Sequence, residues 1–211
     1  MKKLAFFAIA AAMAFVACNK DPEVIKPDDS KDPEEQTDPT PDNPGGQTSD
    51  DLMATLCINE VCGVVGYKSI ELYNPTSAAI DLEGVSVFKN EAETATWTGE
   101  AGNSIPSKGF WVITSKKEFD EITDVANAKA LDSFSPSKSL LLVLKDKDGN
   151  VLDTFDRGWT KAGNTEIALP TAEGSFARTE DAKKEWKELS ITIGATNKGA
   201  TVIGDIKDVA E

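Results

Sequence analysis

The 211-residue sequence contains no histidine. Histidine is the most common general base in enzymes and the most common zinc ligand in proteins. Its absence excludes Ser-His-Asp and Cys-His catalysis. Chemistry that needs only carboxylates, such as glycoside hydrolysis, stays open.

Positive charge is also scarce, because 22 Lys and Arg residues stand against 36 Asp and Glu residues. The formal net charge is −14 and the pI is about 4.5. Such a charge repels the phosphate backbones of nucleic acids, so we expect no nucleic-acid partner. The composition, with 40% hydrophobic and 27% charged residues, is that of an ordinary globular protein.

Long apolar runs are missing except at the N-terminus, where residues 4–17 form a run of 14 uncharged residues. At about 1.5 Å per residue, this run is too short for a hydrocarbon core of about 30 Å. Lys2 and Lys3 precede the run, and Phe15-Val16-Ala17-Cys18 ends it. This order is typical of a cleaved export signal.

The end of the run resembles a lipobox, the site at which a bacterial lipoprotein is acylated on cysteine and cleaved before it. The third position before the cysteine is usually Leu and here holds Phe15, which is also large and apolar. We therefore expect a signal peptide over residues 1–17 and a mature chain that begins at a lipidated Cys18. Two or more acyl chains would anchor it stably on a membrane. The alternative is an ordinary cleaved signal with an incidental cysteine.

The next segment differs in composition from the rest of the chain. Residues 19–52 hold 6 of the 10 prolines and 11 acidic residues against 3 lysines. Such a segment cannot bury enough apolar surface to offset its chain entropy. We interpret residues 18–52 as the lipidated cysteine plus a disordered acidic linker. The predicted location is the outer membrane of the cell envelope. Whether the domain faces the periplasm or the cell surface is left open.

Residues 53–211 carry a net charge of −8 and a pattern of short strands joined by Gly, Pro and Asn turns. This pattern favours an all-β sandwich. The predicted strands cover residues 56–61, 67–74, 84–88, 109–115, 139–145 and 151–155, and only residues 116–122 look helical.

The segment Asp146-Lys147-Asp148-Gly149-Asn150 predicts a tight hairpin turn. It also begins like a calcium loop. However, Val151 and Arg157 occupy the positions that need Gly and Glu. We expect a turn and no metal site.

The strand sequences resemble the lamin-tail domain, an immunoglobulin-like sandwich found in nuclear lamins and in many secreted bacterial proteins. The resemblance covers residues 54–199, and Ile193 departs from it by standing where the family usually has Pro. It is carried by Ile58-Asn59-Glu60-Val61, Ile70-Glu71-Leu72-Tyr73-Asn74-Pro75, Ile80-Asp81-Leu82-Glu83-Gly84-Val85, Ile105-Pro106 with Gly109-Phe110, Leu144, Asp148-Gly149, Val151-Leu152-Asp153, Ser175-Phe176-Ala177-Arg178, Trp186 and Gly194-Ala195-Thr196-Asn197.

The resemblance implies an all-β, immunoglobulin-like sandwich over residues 53–199, followed by a C-terminal tail at 200–211. It brings no catalytic residues and no cofactor, and it implies an accessory or binding module. The chromatin association of nuclear lamins is not transferred to an exported acidic protein.

Two cysteines, Cys57 and Cys62, remain once Cys18 is lipidated. Export favours disulfides. However, five residues of extended strand span about 16 Å, against a disulfide Cα limit of about 7 Å. A disulfide between Cys57 and Cys62 would require a bend in the chain, and the alternative is two buried thiols.

Aromatic and acidic side chains are the remaining candidates for a site. Trp159 lies in a predicted loop and is the best candidate for an exposed ring that stacks on a sugar, but structural packing is the favoured interpretation, because buried aromatics dominate small cores. Trp97 and Trp111 are expected in the core, and Arg178 in a structural ion pair. The candidate acids and bases of a glycosidase are Glu60, Glu71, Asp81, Asp153 and Asp156.

The sequence thus leaves three functions to compare. The first is a lipid-anchored, non-catalytic binding or scaffolding module of the cell envelope, with an unknown protein or glycan ligand. The second is a carbohydrate-binding surface lipoprotein that uses Trp159. The third is a carboxylate hydrolase, which needs two of the candidate acids at about 5–9 Å across a cleft.

Overall fold

The computed structural model describes residues 51–115, the backbone of residues 127–131, and residues 137–209. The chain divides into two units, and the described residues belong to the second, Gly45–Glu211. Cys18, residues 19–50 of the acidic linker and the helix predicted at residues 116–122 lie outside the described residues. These features therefore stay predictions. The last two residues of the predicted linker belong to the domain instead, because Leu52 pairs with Lys183 and the carbonyl of Asp51 accepts from the backbone N–H of Lys184. Among the described residues, no helix is long and apolar enough to cross a membrane.

The second unit is built from short strands, as the sequence predicts. The described strands are β1 (Cys57–Cys62), β2 (Ser69–Tyr73), β3 (Ile80–Asp81), β4 (Ser86–Lys89), β5 (Trp97–Thr98), β6 (Ser104–Ile105), β7 (Phe110–Ser115), β8 (Asn127–Leu131), β9 (Leu140–Lys145), β10 (Val151–Arg157), β11 (Ser175–Arg178), β12 (Trp186–Leu189) and β13 (Val202–Gly204).

These strands form two main sheets. One has seven strands in the order β13-β12-β11-β1-β2-β7-β8, and the other has four in the order β10-β9-β4-β5. Strands β3 and β6 form a separate small pair. Described neighbours are antiparallel, apart from the parallel β7–β8 pair. The predicted all-β sandwich is confirmed.

An apolar core joins the two sheets. The seven-stranded sheet contributes Ile58, Val61, Ile70, Leu72, Ile113 and Phe176, and the four-stranded sheet contributes Val87, Leu140, Leu142, Leu144 and Phe155. Burial of such side chains is the main stabilising contribution to a sandwich of this kind. Trp97 and Trp111 lie in the same core, with ring centroids 6.3 Å apart, as predicted.

The hairpin between β9 and β10 forms where the sequence predicts it. The Asp146 carboxylate accepts hydrogen bonds from the backbone N–H groups of Asp148 and Asn150, at 2.9 and 2.8 Å. Gly149 has φ of 86°, a conformation that side-chain-bearing residues rarely adopt. These contacts explain the Asp-x-Asp-Gly-Asn pattern as turn chemistry.

The strand β13 corrects one predicted boundary. Residues 200–211 were expected to form a tail outside the domain, but β13 pairs with β12, with Val202 opposite Leu189 and Gly204 opposite Glu188. The chain after β13 then reaches the other sheet, because Arg157 Nε donates to the carbonyl of Lys207 at 2.9 Å. The last described residues therefore belong to the sandwich.

Candidate functional site

The strand β1 contains a bulge that brings two glutamates face to face. The register between β1 and β2 shifts between Ile58 and Glu60, so Asn59 is an extra residue. Beyond the bulge, Glu60 lies directly opposite Glu71. Opposed residues of antiparallel strands have Cα atoms about 4.5–5.5 Å apart. The bulge therefore sets two acidic side chains against each other.

Both glutamates are fully buried, at 0% exposure. The Glu71 carboxylate accepts hydrogen bonds from Asn59 Nδ2 at 3.0 Å and from the backbone N–H of Gly194 at 2.6 Å. Glu60 Oε1 accepts from the backbone N–H of Thr192 at 3.0 Å, and Glu60 Oε2 lies 2.6 Å from Thr192 Oγ1. All of these partners are neutral groups, so they leave the like charges uncompensated.

Burial raises the pKa of Glu71 well above its ordinary value of 4.5, and the neighbouring Glu60 charge raises it further. Burial also raises the pKa of Glu60. Two carboxylates in one desolvated site cannot both ionise without a large penalty. The pair is therefore expected to keep a proton at neutral pH, as one coupled unit.

The contacts of the Thr192 hydroxyl favour Glu60 as the residue that carries this proton. Its hydroxyl is 2.6 Å from Glu60 Oε2 and 2.7 Å from Asn197 Oδ1, but it carries only one hydrogen. The orientation of the Asn197 amide is fixed, because its Nδ2 donates to the carbonyls of Arg178 and Asn59. Both contacts are satisfied when Glu60 Oε2 carries the proton and donates to Thr192, which donates to Asn197.

The glutamate pair fastens the segment that connects β12 to β13. Thr192 and Gly194 bind the two carboxylates, and the backbone N–H of Asn197 donates to Asp181 Oδ1 at 2.9 Å. Thr192 and Asp181 were not singled out in the sequence. The only sequence signal for this segment was the Gly194-Ala195-Thr196-Asn197 signature.

A third buried acid, Asp153, is compensated in a different way. Its Oδ2 accepts from Arg178 NH2 at 2.7 Å and from the backbone N–H of Ile58 at 2.8 Å. Arg178 Nε donates to the carbonyl of Ile58 at 2.7 Å, and its guanidinium lies 4.8 Å from the ring centroid of Trp186. The pair therefore provides hydrogen-bond partners for the backbone N–H and C=O of Ile58, beside the bulge. It also links the two sheets, because Arg178 lies on β11 and Asp153 on β10. The predicted structural ion pair of Arg178 is confirmed.

The structure brings together only two of the five candidate acids, Glu60 and Glu71. Asp81 and Asp156 are exposed residues near the C-terminal ends of β3 and β10, and their carboxylates accept hydrogen bonds from the backbone N–H groups of Glu83 and Trp159 respectively. Asp153 is held by Arg178. A glycosidase needs its two carboxyl groups beside an open cleft that admits a sugar. The buried Glu60–Glu71 pair does not provide this arrangement.

The structure places Trp159 in the packed interior, as the favoured interpretation has it and against the sugar-stacking alternative, because the residue is only 7% exposed. Its backbone N–H donates to Asp156 Oδ1 at 2.8 Å, which folds the chain into a tight turn after β10. Gly158 begins this turn with φ of 70°, and the C-terminal segment passes so close that a Cβ at Gly158 would lie 2.8 Å from Val209. The ring therefore packs against the protein and offers no exposed face.

Cys57 and Cys62 lie at the two ends of β1 and are not joined in a disulfide. The continuous strand keeps them apart, which decides between the two alternatives left by the sequence. Burial raises the pKa of Cys57 from 9.0 to about 12. Within the described ranges, no group of three or more cysteine or acidic side chains could hold a metal ion.

Comparison with known proteins identifies the domain. No curated protein matches the chain. The family model described as Lamin Tail Domain matches residues 50–161, which is more than half of the chain. The matched segment contains the bulged strand β1, the Glu60–Glu71 pair and the hairpin that leads to Asp153. The fold is the immunoglobulin-like sandwich that the sequence predicts, and the chain belongs to the lamin tail domain family.

Proposed function

We propose that this protein is a lipid-anchored cell-envelope protein whose lamin tail domain serves as a non-catalytic binding or scaffolding module. One observation supports the non-catalytic part most strongly. The only candidate acids that the fold brings together, Glu60 and Glu71, are fully buried and bind the backbone of residues 192–194. These two carboxylates stabilise the fold and do not form an open acid–base pair.

The location rests on the sequence of the first 18 residues. An uncharged run over residues 4–17 ends at Cys18, and the acidic linker follows it. A diacylated cysteine would hold the chain on a membrane, because each buried CH₂ contributes about 0.8 kcal/mol. A linker of 34 residues in an extended, proline-rich conformation could reach on the order of 100 Å. The domain would then stand clear of the membrane surface.

Mass spectrometry of the native protein tests the anchor. We expect a mature chain that starts at an acylated Cys18 and fractionates with membranes. The Cys18→Ser variant should lose the acyl groups and leave the membrane fraction. A native chain that retains Met1, or that begins at Cys18 without acyl groups, would contradict the proposed location.

Cross-linking in intact cells tests the binding role separately. The full chain should cross-link to a specific envelope protein through residues of the described domain. A panel of glycoside substrates should show no turnover above background. Turnover that is lost in Glu71→Gln but kept in an exposed control, Glu83→Gln, would favour the hydrolase alternative.

A further inference from the structure

Residues 191–196, called the flap from here on, run over the glutamate pair between two fixed ends. At one end, the backbone N–H of Ser190 donates to the carbonyl of Thr201 at 2.9 Å, where β12 and β13 begin to pair. At the other end, Asn197 is fully buried, and its Nδ2 donates to backbone carbonyls of β1 and β11. The flap is therefore a short connection that is fastened on both sides.

The flap is held to the sheet by the two glutamates and not by a strand ladder. It belongs to none of the described strands, and its residues are half-buried or exposed. The backbone N–H groups of Thr192 and Gly194 donate to Glu60 and Glu71, at 3.0 and 2.6 Å. The glutamates themselves lie on β1 and β2, which pair with strands on both sides. Because local opening occurs where few contacts must break, water would reach the pair most easily by lifting the flap.

The other groups beside the pair add negative charge or no charge. Burial raises the pKa of both glutamates, and the negative charge of Asp181 raises both further. On β7, the uncharged Val112 lies opposite Glu71. The remaining titratable side chains of β1 and β2 are those of Cys57, Cys62 and Tyr73, none of which becomes positive. A second negative charge on the pair therefore finds no support in these strands.

The cations of the neighbouring elements are engaged elsewhere or exposed. Arg178 on β11 pairs with Asp153 at 2.7 Å. Lys187 on β12 pairs with Asp205. Lys198, which follows the flap and Asn197, is exposed. Full ionisation of the pair would therefore have to be stabilised by water, and water is excluded while the flap is closed.

We propose that the flap is a proton-controlled latch, which closes over Glu60 and Glu71 while the pair holds a proton and opens locally when that proton is lost. This device goes beyond the proposed binding role and does not depend on it. Loss of the proton also breaks the contacts of Thr192, because its single hydroxyl hydrogen can then serve Glu60 or Asn197 but not both. Opening would bring the centre of the seven-stranded sheet into contact with water.

The direction of the pH effect follows from proton linkage. With the flap closed, the pKa values of both glutamates are raised above 4.5, chiefly by burial. With the flap open, water returns them toward that ordinary value. Between the ordinary and the raised values, the closed form binds one proton more than the open form, so the opening equilibrium rises about tenfold per pH unit. The latch is therefore tightest in acid and loosens as the pH rises.

Hydrogen exchange of the full chain, followed by NMR from about pH 5 to about pH 9, tests the latch. After correction for intrinsic exchange, the protection of the Thr192 and Gly194 amides should fall by about tenfold per pH unit. Low urea should leave it unchanged, because local opening exposes little surface, whereas the β9 amides should lose protection. Protection that does not change with pH would overturn the proposal. So would flap amides with the protection and urea dependence of β9, since they would then exchange only by global unfolding.

Substituting Glu60 tests the origin of the pH dependence. In Glu60→Gln, one of the facing charges is removed, so the protection of the Gly194 amide should fall less steeply with pH. The matched control is Glu83→Gln, which removes an exposed carboxylate and should keep the original slope. Equal slopes in the two variants would overturn the latch.

Two substitutions of Thr192 provide a second test that keeps both glutamates. Thr192→Val removes the hydroxyl that lies between Glu60 and Asn197, and should raise flap opening at pH 5 by about tenfold. Thr192→Ser keeps the hydroxyl and should protect the Gly194 amide as the unmodified chain does. Equal protection of this amide in the two variants would contradict the proposed role of the Thr192 contacts.

Discussion

The buried acids on the two sides of β1 are neutralised in opposite ways. On the core face, the Asp153 carboxylate and the Arg178 guanidinium form an ion pair at 2.7 Å, with both side chains under 10% exposed. On the other face, Glu60 and Glu71 oppose each other at 0% exposure and bind neutral groups. One region compensates charge with charge, whereas in the other burial raises the pKa of both glutamates, which favours a retained proton. Carboxylates in a small domain can therefore stabilise structure without forming a site for chemistry.

The largest effect is expected from breaking the ion pair. Arg178→Met leaves Asp153 buried without its cation and the carbonyl of Ile58 without a donor. Removing one partner of a buried pair costs about 3–5 kcal/mol of unfolding free energy. Urea denaturation of the full chain measures this loss. Lys187→Met, which removes an exposed partner of Asp205, is the control and should leave the midpoint unchanged.

A loss of less than about 1 kcal/mol for Arg178→Met would show that the two regions do not differ as described. It would mean that water reaches Asp153 and replaces the guanidinium.

Alkylation of Cys57 probes the environment between the two regions. Burial raises its pKa to about 12, against 9.0 for an ordinary thiol. Because the thiolate is the reactive form, the folded protein should react roughly a thousandfold more slowly at pH 8 than the same thiol in urea. Iodoacetamide labelling of a Cys62→Ser variant, followed by mass spectrometry, gives both rates. Equal rates in the two conditions would show that Cys57 is open to solvent.

Substituting Glu71 should have an intermediate effect. Both oxygens of Glu71 accept hydrogen bonds from N–H donors, Asn59 Nδ2 and the Gly194 backbone. Glu71→Gln replaces one acceptor with an NH₂ group that faces a donor. An unsatisfied buried polar group costs about 1–3 kcal/mol. Thermal or urea unfolding at pH 7 should show this loss. A variant as stable as the unmodified chain would indicate that Glu71, and not Glu60, carries the proton.

Substituting Glu60 should have the smallest effect at neutral pH. A glutamine amide donates where the protonated carboxyl donates, so Glu60→Gln should stay within about 1 kcal/mol of the unmodified chain. A folded pKa raised above the ordinary 4.5 stabilises the fold at low pH, and this stability is lost as pH rises through the raised value. The free energy of unfolding should therefore fall between pH 5 and alkaline pH for the unmodified chain, and fall less steeply in Glu60→Gln, where Glu71 alone still has a pKa raised by burial. An unchanged slope in the variant would contradict the assignment.

The strand pattern could be predicted because it depends on local chemistry. The alternation around Ile70 and Leu72 marks a buried face, and Asp146 and Gly149 mark a turn. The strand β13 was missed because Val202–Gly204 is only three residues long. Such a strand forms through pairing with β12, and three residues are too few to show a period of two.

The candidate site could be predicted only in part. Glu60 and Glu71 were recognised as acids, but their facing positions depend on the bulge at Asn59, which a single sequence does not reveal. The burial of Trp159 could only be weighed against exposure from the sequence, because the turn that holds it packs beside Val209, 50 residues further along the chain. In both cases the deciding contact is made by residues far apart in the sequence.

The most direct test of the buried glutamate pair is a ¹³C NMR titration of the side-chain carboxyl carbons of Glu60 and Glu71 in the full chain. We expect the two signals to titrate as a coupled pair, with the Glu60 signal still that of a protonated carboxyl at pH 7. Two independent transitions near the ordinary glutamate value of about 4.3 would contradict the account.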